Sequence, residues 1–134
     1  MNIHLFTYGS LMVDRVWCRV LSVTTNHYIS ASATLKNHQR FCVKNETHPG
    51  MVAANGQALE GIVYFNITPE HIALLDEFEG ADYVRSSLLL IDSMGKPLNA
   101  QTYIYQRPDL LTPSLWTLDQ FDEASFMKQY VGFK

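Results

Sequence analysis

The chain has 134 residues, 10 Lys plus Arg against 13 Asp plus Glu, and a formal net charge of −3. That length suits one domain, expected here over residues 1–134, with enough chain to bury a core without covalent staples. Hydrophobic residues at 47% and charged residues at 17% argue against a disordered chain, and the weak negative charge argues against a general nucleic-acid binder, which needs a clustered basic surface.

The most basic stretch, Lys36 to Lys44 with Arg40 inside it, reads as a solvated strand face. Cys18 and Cys42 form no CxxC pair and no disulfide framework. Both lie in apolar segments and read as core residues. The N-terminus lacks the basic region and apolar run of a secretion signal. No apolar stretch approaches the roughly 20 residues that span a membrane. The expectation is a cytoplasmic protein with free thiols and no membrane or nucleic-acid partner.

Ile3 to Tyr8 is short, apolar and aromatic, the pattern of a buried strand. Gly9-Ser10 breaks it. Val13, Val16, Trp17, Val20 and Leu21 then recur at helical spacing, with Ser10 as a plausible N-cap and Asp14 in the first turn. Tyr28 to Val43 suggests one or two strands. Asn45 to Gly56 is rich in turn formers and reads as a loop, with a short strand near Met51-Val52. Gly61 to Asn66 is a strand. Thr68-Pro69 opens a helix by the N-cap and N1-proline rule, and Gly80 closes it. Tyr83 to Ile91, a turn at Ser93 to Lys96, and Ala100 to Tyr105 make a hairpin. Pro108 and Pro113 punctuate a loop. Leu118, Phe121, Phe126 and Tyr130 suggest a terminal amphipathic helix. Short turns join most strands, so antiparallel pairing should dominate an α+β domain with a curved sheet or small barrel.

The helix Pro69 to Glu79 carries Glu70, Asp76, Glu77 and Glu79. At about 100° per residue with Ile72 at zero, Leu75 falls near 300°, Phe78 near 240° and Leu74 near 200°. Glu77 and Glu70 fall on the polar side, and Asp76 sits at the margin. Glu79 falls near 340°, inside the apolar arc. It also ends the helix, where the macrodipole is negative. Desolvation and dipole both raise a carboxyl pKa, as a general acid/base near neutral pH requires. The structural alternative is a frayed end at which Glu79 reaches water or pairs with Arg85.

Tyr8-Gly9-Ser10-Leu11 is the second feature. A strand turning sharply into a helix leaves backbone N–H groups that suit a carboxylate or phosphate, and Gly9 permits close backbone approach. Taken alone, the turn is weak evidence for a site and reads as an ordinary capped turn. The P-loop pattern is absent, and Ser10 lies outside a GxSxG elbow. The histidines at 4, 27, 38, 48 and 71 show no HxxxH or HExxH spacing. Tyr64, Tyr83, Tyr103 and Tyr105 read as half-buried sheet residues.

Together these segments resemble the gamma-glutamylcyclotransferase-like family. The matching pieces are Tyr8-Gly9-Ser10-Leu11, His48-Pro49-Gly50-Met51, Gly61-Ile62-Val63-Tyr64, Leu75-Asp76-Glu77-Phe78-Glu79-Gly80 and Tyr83-Val84-Arg85. Their order fits from Ile3 to about Gln106, with a weaker match around Trp116 to Phe121. The resemblance implies a small mixed, mostly antiparallel β-barrel with flanking helices. It implies release of 5-oxoproline and a free amine from a small γ-glutamyl substrate, with no metal or cofactor. It places the catalytic acid/base at Glu79, the substrate-binding turn at Tyr8, Gly9, Ser10 and Leu11, and a further binding residue at Tyr83. Branches acting on γ-glutamyl amino acids often have Asn where Leu11 stands, so the chain looks more like the smaller γ-glutamylamine branch. A γ-glutamyl amine or an isopeptide-derived fragment is then as good a candidate substrate. The competing reading is a binding module that holds a γ-glutamyl or carboxylate ligand without turnover.

Overall fold

The computed structural model describes residues 1–132, and the side chains of Met127 and of residues 129–132 are outside that description. The strands are β1 (Ile3–Thr7), β2 (Ser30–Val43), β3 (Pro49–Ile67), β4 (Tyr83–Asp92), β5 (Pro97–Tyr105) and β6 (Leu111–Leu115). The helices are α1 (Asp14–Leu21), α2 (Pro69–Glu79) and α3 (Glu123–Gly132). The sheet runs β3-β1-β5-β4-β2-β6, and β2 also pairs with β3, closing five strands into a barrel with β6 outside. The β1–β5 pairing is parallel and the others are antiparallel. The fold is thus α+β, a mixed barrel with flanking helices.

β1 distributes its side chains by the period-2 rule. Phe6 and Tyr8 join the barrel interior with Leu35, Met51, Val63 and Leu90. Leu5 faces a second cluster with Trp17 and Leu21 of α1 and Ile72 and Leu75 of α2. In that cluster Trp17 stacks on Tyr64 with ring centroids 3.7 Å apart. β1 therefore ties both halves of the core together, and the chain leaves it directly into the Tyr8–Leu11 turn.

Several elements differ from the expectations. The loop expected at Asn45 to Gly56 is confined to residues 44–48, because β3 begins at Pro49 and pairs with β2 from Cys42 onward. A strand's first position tolerates proline, which lacks the ladder donor. Asn55-Gly56 makes a bulge instead of a turn: Gly56 has φ +82° and its N–H donates to Asn37 Oδ1 at 3.0 Å. Pro113 sits within β6, an edge strand, where a missing N–H costs no pairing. Ser10 does not cap α1. It opens a separate 3-10 turn, Ser10–Met12, and α1 starts after Val13 without a side-chain cap. The two cysteines are half-buried, not core.

α2 has the expected bounds. Thr68 Oγ1 accepts the His71 N–H at 3.4 Å, Pro69 occupies the first turn, and Gly80, at φ +81°, closes the helix with its N–H on Asp76 O. Ile72 and Leu75 are buried, whereas Leu74 is 42% exposed. In the tail, Leu118–Gln120 is a 3-10 turn and α3 starts at Glu123, with Phe126 against Phe78 at 5.7 Å. Tyr130, expected on that apolar face, lies outside the described side chains. No helix among the described residues is long and apolar enough to cross a membrane.

Candidate functional site

A cavity of about 600 Å³ opens where β1, the end of α2, the 44–48 loop and the start of α3 meet. That size suits a small-molecule ligand. Its walls include Tyr8, Gly9, Ser10, Leu11, Glu79 and Tyr83, so all six candidate site residues share one cavity. Leu74, Phe78 and Phe126 form an apolar side, and Glu46 and His48 come from the loop.

Each wall follows from local structure. Tyr8 is buried, and its hydroxyl donates to Tyr103 O at 2.6 Å, which anchors the start of the turn inside the barrel. Burial pushes the Tyr8 phenol well above its ordinary pKa, so it remains a neutral donor. A Cβ at Gly9 would fall 2.9 Å from Pro49 Cγ and Cδ, so only glycine lets the turn pass this close to the start of β3. The 3-10 turn uses the Met12 N–H on Gly9 O at 2.9 Å and the Val13 N–H on Ser10 O at 3.0 Å. The N–H groups of Ser10 and Leu11 precede that ladder, as the first donors of a helical turn do.

Glu79 stands at the end of α2 against the cavity. Burial, and then the negative charge of Asp76, push its carboxyl up to about 8. Its suggested partner, Arg85, goes elsewhere. Arg85 Nε donates to Asp76 Oδ1 at 2.9 Å and Nη2 to Oδ2 at 3.1 Å, and the Tyr103 hydroxyl donates to Asp76 Oδ1 at 2.7 Å. Burial raises the Asp76 carboxyl, but these hydrogen bonds and the Arg85 charge outweigh it and hold Asp76 below the ordinary value. Two carboxylates three residues apart thus have opposite environments, one on the cavity wall with its pKa raised and one paired with Arg85 with its pKa lowered.

Tyr83, at the start of β4, donates its hydroxyl proton to Pro49 O at 2.7 Å. His48 Nδ1 lies 3.2 Å from that hydroxyl, and His48 Nε2 lies 2.9 Å from Glu46 Oε2. Burial, then Glu79, raises the Tyr83 pKa, so it too stays a neutral phenol. Tyr103 also lines the cavity, although the strand pattern marks it only as a sheet residue.

Arg40 departs most from expectation. It is not on a solvated face. Nη1 donates to Tyr8 O at 2.7 Å and Glu60 O at 3.2 Å, and the guanidinium lies 5.2 Å from the Trp116 ring centroid. The Trp116 indole N–H in turn donates to Thr47 O at 2.8 Å. Arg40 thus holds the backbone of the opening turn from behind. Its partners lie 32 and 20 residues away, so no local pattern marks it. Among the described residues no group of three or more His, Cys, Asp or Glu side chains is arranged to hold a metal ion.

The family model for gamma-glutamyl cyclotransferase, AIG2-like, matches residues 5–122. AIG2-like protein D of Arabidopsis thaliana is 36% identical over 120 residues, covering 88% of this chain and 76% of that protein. AIG2-like protein C of the same plant is 29% identical over 120 residues, covering 89% and 67%. The solution structure of an Arabidopsis thaliana protein superposes with a TM-score of 0.73 at 25% identity, covering 98% of this chain and 88% of that one. A solved gamma-glutamyl cyclotransferase superposes with a TM-score of 0.66 at 16% identity, covering 78% and 67%, a likeness of fold.

Proposed function

The chain belongs to the gamma-glutamyl cyclotransferase, AIG2-like family, and on that premise we propose that it releases 5-oxoproline and a free amine from a small γ-glutamyl compound, with Glu79 as general acid/base. The observation that carries the reading is Glu79: a carboxyl with pKa about 8 on the wall of a cavity that also presents the Tyr8–Leu11 turn and Tyr83.

The substrate supplies its own nucleophile. Ionised Glu79 takes a proton from the α-ammonium, and the freed amine attacks the γ-carbonyl carbon. The ring C–N bond forms. Protonated Glu79 then gives its proton to the leaving nitrogen as the exocyclic C–N bond breaks, and the second proton on the ring nitrogen passes through Glu79 to the freed amine, which departs as an ammonium and leaves the carboxylate ionised again. The backbone N–H groups of the opening turn hold the α-carboxylate, which orients the amine on the carbonyl. Such positioning supplies much of the rate of an intramolecular reaction. Tyr8 and Tyr83, kept neutral by burial, donate their hydroxyl protons to Tyr103 O and Pro49 O and so shape the same wall.

The test is a panel of γ-glutamyl amines, isopeptide-derived fragments and γ-glutamyl amino acids, scored for 5-oxoproline. Glu79→Gln is expected to lose at least ~100-fold activity, the usual contribution of a general acid/base. Undiminished turnover by a clean preparation of that variant would reject the role. Thermal stabilisation by a γ-glutamyl compound with no product from any panel member would favour the binding-module reading.

A further inference from the structure

The Glu46–His48–Tyr83 contacts hold a constraint on proton count. Tyr83 has one hydroxyl proton, and Pro49 O, which can only accept, takes it at 2.7 Å. The Tyr83 oxygen therefore accepts from His48 Nδ1 at 3.2 Å. The Glu46 carboxylate also only accepts, so His48 Nε2 must carry a proton to bond it at 2.9 Å. All three bonds coexist only when both ring nitrogens are protonated, that is, when His48 is an imidazolium.

A neutral ring gives up one bond in either tautomer. With the proton on Nε2, the bare Nδ1 faces Tyr83, which either turns its hydroxyl away from Pro49 O or loses its histidine contact. With the proton on Nδ1, the bare Nε2 faces the Glu46 carboxylate. The consequence reaches the opening turn, because Pro49 is the residue that packs on Gly9 at the limit of close approach.

Resting on the function proposed above, we propose that His48 is a positioning residue: its imidazolium, bridging Glu46 and Tyr83, fixes the Tyr83 hydroxyl and the Pro49 carbonyl that set the shape of the substrate-binding turn. Breaking either histidine contact then raises substrate KM, while the chemistry at Glu79 is left in place. The other titratable groups acting on Tyr83 are Glu79 from α2, Tyr105 from β5, with ring centroids 5.1 Å apart, and Asp82 just before β4.

Two measurements test this. The first needs no turnover and uses Glu79→Gln protein, which removes that neighbour's titration. Nitrogen-15 spectra of labelled histidine report whether each ring nitrogen of His48 carries a proton, and the Tyr83 ring signals are compared with and without Glu46→Gln in the same background. Both ring nitrogens are expected to be protonated, and Glu46→Gln is expected to move the Tyr83 signals. A single-proton tautomer of His48, or Tyr83 signals unmoved by Glu46→Gln, would overturn the proposal, whether or not any substrate is ever found.

The second is kinetic. His48→Phe is expected to raise KM about tenfold with kcat within twofold. His48→Asn, whose amide can donate in place of Nδ1, is expected to recover most of KM. A wild-type KM in His48→Phe, no recovery in His48→Asn, or a loss confined to kcat, would overturn the positioning role. Failure of the whole panel to yield 5-oxoproline would reject the proposed activity and leave the spectroscopic arm to decide the histidine's part.

Discussion

Arg85 pairs with Asp76 and not with Glu79. The two-pronged contact at 2.9 and 3.1 Å, completed by the Tyr103 hydroxyl at 2.7 Å, places the cation behind the helix. Among the described residues no salt bridge involves Glu79. Had Arg85 paired with Glu79, the cation would have stabilised the ionised carboxyl and lowered its pKa. Instead the ionised Asp76 faces Glu79 as a like charge and adds to the effect of burial.

That relationship fixes a pH dependence. Glu79 must be ionised to accept the first proton, so kcat/KM should rise with pH through about 8. Asp76→Asn removes the like charge and releases Arg85 from its carboxylate partner. Both changes favour ionised Glu79, so the rising limb should move down by roughly one pH unit. A pH–rate profile checks the direction, and an upward shift or an unmoved limb would reject the electrostatic account.

The same carboxyl links pH to stability, and the sign can be worked out. Its folded pKa, about 8, lies above the ordinary 4.5, so the folded state binds more protons between those values. Stability therefore falls as pH rises through that window, by an amount on the order of a few kcal/mol if the full shift is expressed. Glu79→Gln removes this loss. The variant should match the wild type near pH 4.5 and exceed it above pH 8. Urea midpoints at the two pH values check this, and equal midpoints at high pH would show that Glu79 is not desolvated in the folded protein.

Glu79 was legible because its position depends on local chemistry. Thr68, Pro69 and Gly80 bound the helix, and the helical period then places residue 79 beside Ile72 and Leu75. The partner of Arg85 was not legible, since Asp76 and Glu79 both end the same helix. The choice is made by strand pairing: Arg85 on β4 lies opposite Tyr103 on β5, and both side chains converge on Asp76. Leu74 was misplaced for a related reason. Its side of α2 faces the mouth of the cavity instead of the core, and periodicity does not separate those two apolar settings. The 44–48 loop was hidden by the turn formers after it, since Asn55-Gly56 supplies a bulge within a long strand.

Arg40 supports the opening turn through its guanidinium, which joins carbonyls of two segments, Tyr8 O and Glu60 O, while its face rests near Trp116. Arg40→Met keeps much of the volume and removes the donors, leaving the Tyr8 carbonyl without this partner. A lost hydrogen bond from a charged donor costs about 1.5–3 kcal/mol. The variant should unfold at lower urea with an unchanged slope and should raise KM for a γ-glutamyl compound more than it lowers kcat. Arg40→Lys keeps the charge, but its single ammonium cannot reproduce the planar fork, so it should recover only part of the loss. If Arg40→Met retained both the wild-type midpoint and the wild-type KM, the turn would be held by Gly9, Pro49 and the Tyr8 hydroxyl alone.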